Sequence, residues 1–160
     1  MPTNHQQLAE EFRAIAESTH DVADLMGLIV GRLKEQLPHF NWVGFYMVDK
    51  GVTGEEPMLV LGPYVGADTP HKRIPLNQGI CGAAVSSRQT VVVDDVHADP
   101  RYLACSFETK SEIVAPIFVK GEVVGELDID SHTPAAFTDA DRRLVEQCAA
   151  LVGRYLERAT

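Results

Sequence analysis

The sequence predicts an α+β domain: a mostly antiparallel sheet with the N- and C-terminal helices on one face and a ligand pocket on the other. Three observations predict it. Apolar residues recur at helical spacing near the two ends of the chain, they alternate with period two through much of residues 41–130, and a Lys120-Gly121 turn joins two long apolar runs. One domain is expected over residues 1–160, with helices in 1–38, the sheet, pocket and a functional loop in 41–131, and a closing helix in 138–158.

Leu8, Phe12 and Ile15 mark a first amphipathic helix. Val22, Leu25, Met26, Ile29, Val30 and Leu33 mark a second, which opens at an Asp21 N-cap and ends before Pro38. From Asn41 to Asp49 the period becomes two, with Val43, Phe45 and Met47 on one face and Trp42, Gly44, Tyr46 and Val48 on the other. Both faces are apolar, so both should be covered. Further strands are expected over 58–62, 72–75 and 90–93, the last after a short helix from Ile80 to Ser87. Glu112 to Val119 and Glu122 to Asp130 form a hairpin about Lys120-Gly121. Thr138 and Asp141 form a capping-box signature before a stripe of Leu144, Val145, Cys148, Leu151, Val152 and Tyr155. The stretch from Asp94 to Ser111 lacks periodicity, and loops of that length in compact domains tend to be functional.

A chain of 160 residues buries a sizeable core without disulfide or metal. Its net charge of −9 offers no basic footprint for nucleic acid. The polar start lacks a secretion signal, and no apolar run is long enough to span a membrane, so a cytoplasmic location is expected. Cys81, Cys105 and Cys148 follow no CxxC spacing, and the six histidines show no metal-ligand spacing, so neither a metal nor a cofactor is expected.

In Glu126-Leu127-Asp128-Ile129-Asp130, strand alternation sends the three acids to one face, with neighbours ~7 Å apart. Either that face is solvated or the acids line a cavity and raise one another's pKa. Trp42 and Tyr46 favour the cavity, since large aromatics wall pockets. Glu112 either adds a carboxyl near Asp128 or Asp130 or, on an edge strand, pairs with Lys110 or Arg101. Acids gathered in a part-apolar cavity hold a proton near neutral pH and can donate it to a polarised oxygen. Cys81 begins a glycine-bracketed helix, where a thiolate is stabilised, and Cys105 lies in the aperiodic loop near Arg101 and Lys110. The two either form a redox pair or are incidental. Cys148 sits in the apolar stripe of the last helix and is core.

Asn41-Trp42-Val43-Gly44-Phe45-Tyr46, Gly79-Ile80-Cys81-Gly82, Asp95-Val96-His97, Tyr102-Leu103-Ala104-Cys105, Glu108 to Pro116 and Gly125 to Ser131, in that order, resemble the stand-alone GAF-domain enzymes called free methionine-(R)-sulfoxide reductases. The resemblance implies reduction of free methionine sulfoxide with a thioredoxin-like donor. It places Cys105 as nucleophile and Cys81 as resolving thiol, with Glu112, Asp128 and Asp130 holding the sulfoxide and amino groups and Trp42 and Tyr46 enclosing the methyl. Glu112 or Asp130 would supply the proton. Where many members carry a third cysteine this chain has Val91, and Ser106 follows Cys105 where the family usually has Asp. The other reading of a GAF fold is a sensor that binds a small molecule without chemistry. The terminal helices, if they pair across a two-fold axis, imply a homodimer.

Overall fold

The computed structural model describes residues 4–51, 56–103 and 108–159. Helices α1 (Asn4–Ser18) and α2 (Val22–Gln36) lead into strand β1 (Trp42–Asp49). Then come β2 (Met58–Val65), β3 (Arg73–Pro75), α3 (Gly79–Ser87), β4 (Val91–Val93), β5 (Ser111–Val119), β6 (Glu122–Ser131) and α4 (Asp139–Arg158). One six-stranded sheet runs in the order β3-β2-β1-β6-β5-β4, and every pairing is antiparallel. The first and last strands to form long pairings, β1 and β6, lie at its centre. Residues 41–49 and 112–130 therefore supply most of both faces.

The alternation read from β1 holds. Val43 and Phe45 join Leu127, Ile129, Ile113, Ala115 and Ile117 in a core covered by α1, α2 and α4. Trp42 and Tyr46 face the other way, with Ile80, Cys81, Ala84, Val93, Val96 and Val114. Helix α3 packs on that second side, against β5 and β6. The sheet is thus apolar on both faces, and α3 leaves part of the second face free for a pocket.

Strand β2 runs three residues beyond the expected 62, through Pro63. Proline lacks an N–H for the ladder, which is why the sequence reads as a stop there. The β1–β2 register shifts between Gly44 and Tyr46, and Val43 and Gly44 pair with Val65 and Tyr64 beyond the shift. That extension brings Tyr64 alongside Trp42.

Helix α4 carries the predicted capping box: Thr138 Oγ1 accepts from the Asp141 N–H at 3.0 Å, and Asp141 Oδ2 accepts from the Thr138 N–H at 3.1 Å. Asp141, buried, also pairs with His5 Nε2 at 2.7 Å and His39 Nε2 at 2.8 Å. Burial alone would raise its pKa, but these bonds outweigh that and hold it below its ordinary value. One carboxylate thereby ties α1, the segment entering β1 and the start of α4 together.

Gly153 lets α4 lie close against β5. A Cβ there would run into the backbone carbonyl of Phe118. Gly153→Ala is therefore expected to lower stability by about 1–3 kcal/mol, the usual scale of overpacking, read as a lower midpoint in urea. Because the obstacle is a strand carbonyl rather than a flexible side chain, an unchanged midpoint would mean that α4 shifts freely on β5.

Candidate active site

On the second face, strand geometry gathers the acids. Glu112 of β5 lies opposite Asp130 of β6, and Val114 opposite Asp128. Trp42 lies opposite Asp130 and Tyr46 opposite Glu126 on the other flank. Glu112, Asp128 and Asp130 are each 5% exposed and Glu126 is 0% exposed, so the acids face the interior and not solvent. β5 is not an edge strand, because β4 covers its far side with Val93 opposite Glu112. The alternative pairing of Glu112 with Arg101 fails as well, since Arg101 forks onto Asp99 at 2.9 and 2.6 Å.

Burial dominates the electrostatics. It pushes Glu126 and Asp130 well above the ordinary carboxylate range, and the Asp128 charge adds to both shifts. Asp128 is also raised by burial, though hydrogen bonds with Glu112 and Cys81 draw it back. Glu112 shares hydrogen bonds with both Asp128 and Asp130. Two carboxyls can be joined by a hydrogen bond only through a proton, so burial and these contacts both favour a proton held within the cluster.

Cys81 sits in the first turn of α3, between two glycines with distinct tasks. Gly79 takes φ +72 to enter the helix, while a Cβ on Gly82 would come within 2.8 Å of the Leu76 carbonyl. The tight entry aims the thiol at the acids, and Cys81 Sγ donates to Asp128 Oδ2 at 3.5 Å. The thiolate expected from a helix start is not what results. Burial, followed by the charges of Asp128, Glu126 and Glu112, pushes the Cys81 thiol well above its ordinary value. A helix N-terminus contributes about half a unit charge, too little against three acids in a dry site.

Aromatic rings close the wall. Trp42 stacks on Tyr46 with centroids 6.2 Å apart and on Tyr64 at 5.6 Å. A Cβ on Gly44 would strike the Trp42 ring, so this position keeps the indole flat on the strand. Trp42 Nε1 donates to the Ala67 carbonyl at 3.0 Å and the Tyr46 hydroxyl to the His71 carbonyl at 2.6 Å, fastening the β2–β3 connection over the site. The resulting cavity of about 100 Å³ is lined by Trp42, Tyr46, Asp128 and Asp130, together with the buried Thr69 and Thr109. Among its described lining residues there is no lysine or arginine.

The structure thus brings together Cys81, Glu112, Asp128, Asp130, Trp42 and Tyr46. Cys105 falls within 104–107, outside the described residues. The described start of its loop is anchored by a single 3₁₀ turn, Val96–Ala98, with Val96 fully buried and Asp95 Oδ1 accepting from the His97 N–H at 3.1 Å. Cys148 lies in the helical core, as its stripe predicted, and burial raises its thiol pKa. The sequence did not single out Tyr64, Thr69 or Thr109. Tyr64 is invisible without the extended β2, whereas Thr109 lies three residues before Glu112, within the run from Glu108 to Pro116. A metal has one candidate donor set among the described residues: Cys81, Glu112 and Asp128.

A sheet with helices behind it and an enclosed small-molecule cavity in front is the architecture of a GAF domain, and the GAF domain family model matches residues 8–156. The free methionine-R-sulfoxide reductase of Escherichia coli is 34% identical over 95% of this chain and 88% of its own length. The crystal structure of free methionine-R-sulfoxide reductase from Neisseria meningitidis in complex with its substrate superposes with a TM-score of 0.87 at 34% identity, covering 97% of this chain and 90% of that one. The Staphylococcus aureus fRMsr in complex with substrate gives 0.84 at 35% identity, over 98% and 97%. The chain belongs to the free methionine-R-sulfoxide reductase family of GAF-domain proteins.

Proposed function

We propose that this protein reduces free L-methionine-(R)-S-oxide to methionine with cysteine thiols. The observation that carries the reading is the buried acid cluster beside the Cys81 thiol, in a cavity walled by Trp42 and Tyr46. Sulfoxide reduction needs a sulfur nucleophile, a proton for the departing oxygen and an apolar seat for the methyl group, and the acids and aromatic rings supply the last two. Cys105 is the nucleophile. Its sulfur bonds to the sulfoxide sulfur, the S–O bond transfers its oxygen to Cys105, and Glu112 or Asp130 protonates that oxygen. Methionine leaves, and Cys105 is a sulfenic acid. The Cys81 thiol then attacks the sulfenic sulfur, giving a disulfide and water, and a thioredoxin-like dithiol returns both cysteines to thiols. Asp128 binds the substrate's ammonium group.

A reducing cytoplasmic setting follows from that chemistry. No described helix is long and apolar enough to cross a membrane. The apolar stripes of α1 and α4 are buried within one chain, where the two helices pack together. A homodimer would therefore use their outer surfaces, and light scattering counts the chains. Activity is tested with NADPH, thioredoxin reductase and thioredoxin against both epimers of free methionine sulfoxide. Turnover of the R epimer alone is expected. A protein inert toward both, yet raised in melting temperature by some other small molecule, would be a sensor and would overturn the proposal.

A further inference from the structure

The donor set at the back of the pocket suggests a ligand other than a sulfoxide. Cys81, Glu112 and Asp128 come from α3, β5 and β6, and each offers one donor atom, all within 4.8 Å of one another and all buried. A zinc ion bonds sulfur at ~2.3 Å and carboxylate oxygen at ~2.1 Å, so a tetrahedral angle sets those atoms ~3.6 Å apart. The Cys81 Sγ to Asp128 Oδ2 distance is 3.5 Å. One edge of a zinc tetrahedron is therefore already spaced for the ion.

A second observation points the same way. Asp128 Oδ1 and Asp130 Oδ1 are buried without a hydrogen-bond partner, and both residues line the adjoining cavity. Unpaired buried carboxylate oxygens are costly. With no lysine or arginine among the cavity's described lining residues, these oxygens are open to a cation from outside, the substrate's ammonium group or a metal ion. Asp128 faces both the cavity and the thiol, so an ion entering through the cavity meets Asp128 before it reaches Cys81. A thiol beside carboxylates selects a borderline-soft divalent ion over magnesium or calcium, which prefer oxygen alone.

We propose that Cys81, Glu112 and Asp128 form a binding site for one divalent cation of the zinc class, and that this ion competes with substrate. On binding, the Cys81 thiol and the carboxyl pair of Glu112 and Asp128 each lose a proton to solvent, and the sulfur and carboxylate oxygens bond the metal with no change in oxidation state. The competition rests on the function proposed above; the binding does not. A thiol held by metal cannot resolve a sulfenic acid, so the ion would also halt recycling.

The reduced, full-length protein is titrated with Cd²⁺ alone, followed by thiolate-to-metal charge-transfer absorbance, and with Zn²⁺ alone by calorimetry. One ion per chain is expected, with the charge-transfer band present. Cys81→Ser should abolish the band, and both it and Asp128→Asn should weaken Zn²⁺ binding by roughly 100-fold or more. Absence of the band in the wild-type protein, or its persistence in Cys81→Ser, overturns the site without recourse to how either variant folds. In Cys105→Ser, which leaves Cys81 reduced, free methionine sulfoxide should raise the apparent Zn²⁺ dissociation constant, and an unchanged constant there, with a wild type that turns over the sulfoxide, overturns the competition. Should the wild type bind Zn²⁺ through Cys81 yet reduce neither epimer, the metal site stands and the reductase reading falls.

Discussion

In Cys105→Ser, methionine release is expected to fall by more than about 10³-fold, the scale on which an enzyme loses its nucleophile. Cys81→Ser is expected to release about one methionine per chain and then stop with thioredoxin as donor. The contrast follows from which bond each sulfur forms. Cys105 accepts the oxygen, and a serine hydroxyl at neutral pH is neither nucleophilic enough to attack sulfur nor able to form a sulfenic acid. Cys81 acts only afterwards, when the oxygen is already transferred. The environment agrees with that order, since a thiol raised first by burial and then by Asp128, Glu126 and Glu112 is poorly suited to be the first nucleophile. A single-turnover quench counting methionine per chain, paired with steady-state coupling to thioredoxin, separates the two variants. Ordinary turnover in Cys105→Ser would overturn the assignment. Full recycling in Cys81→Ser would leave the nucleophile in place and remove the disulfide from the cycle.

Local periodicity made the fold legible where a strand or helix has one clear buried face. Alternation in β1 and β6 placed Trp42, Tyr46, Asp128 and Asp130 on the pocket side and Val43, Phe45, Leu127 and Ile129 on the helix side, as found. The Lys120-Gly121 turn fixed the hairpin, and the hairpin register set Glu112 opposite Asp130. What stayed hidden depends on partners remote in sequence. The placement of β6 beside β1 decides how deeply the acids are buried, and nothing within Glu126 to Asp130 encodes it. Whether Cys81 is thiol or thiolate depends on its burial and on the remote carboxyls of Asp128, Glu126 and Glu112, so a helix-start argument applied to its own turn gave the wrong sign. The meeting of His5 and His39 on Asp141 spans over a hundred residues and has no local signature.

Glu126→Leu is expected to stabilise the protein by about 1–3 kcal/mol at neutral pH, the cost of a buried polar group without a partner. Glu126 is 0% exposed, and neither carboxyl oxygen has a hydrogen bond of good geometry, the weak contact with the Cys81 thiol offsetting only part of the burial. Its folded-state pKa is raised well above the ordinary 4.5, first by burial and then by Asp128. Below that ordinary value both folded and unfolded chains hold the proton, and the residue contributes no pH dependence. Above it the unfolded chain releases the proton while the folded chain keeps it, so stability falls as pH rises, by about 1.4 kcal/mol per pH unit for one proton. Asp128 and Asp130, also raised, add slopes of the same sign. Asp141 acts oppositely, because its pKa is lowered, and its contribution is lost as pH falls below the ordinary 3.8. Wild-type stability should therefore decline from mildly acidic pH upward, and Glu126→Leu and Glu126→Gln should both decline less steeply. Urea unfolding from about pH 5 to about pH 8 measures the slopes, and equal slopes in the wild type and both variants would mean that Glu126 ionises as it does in water.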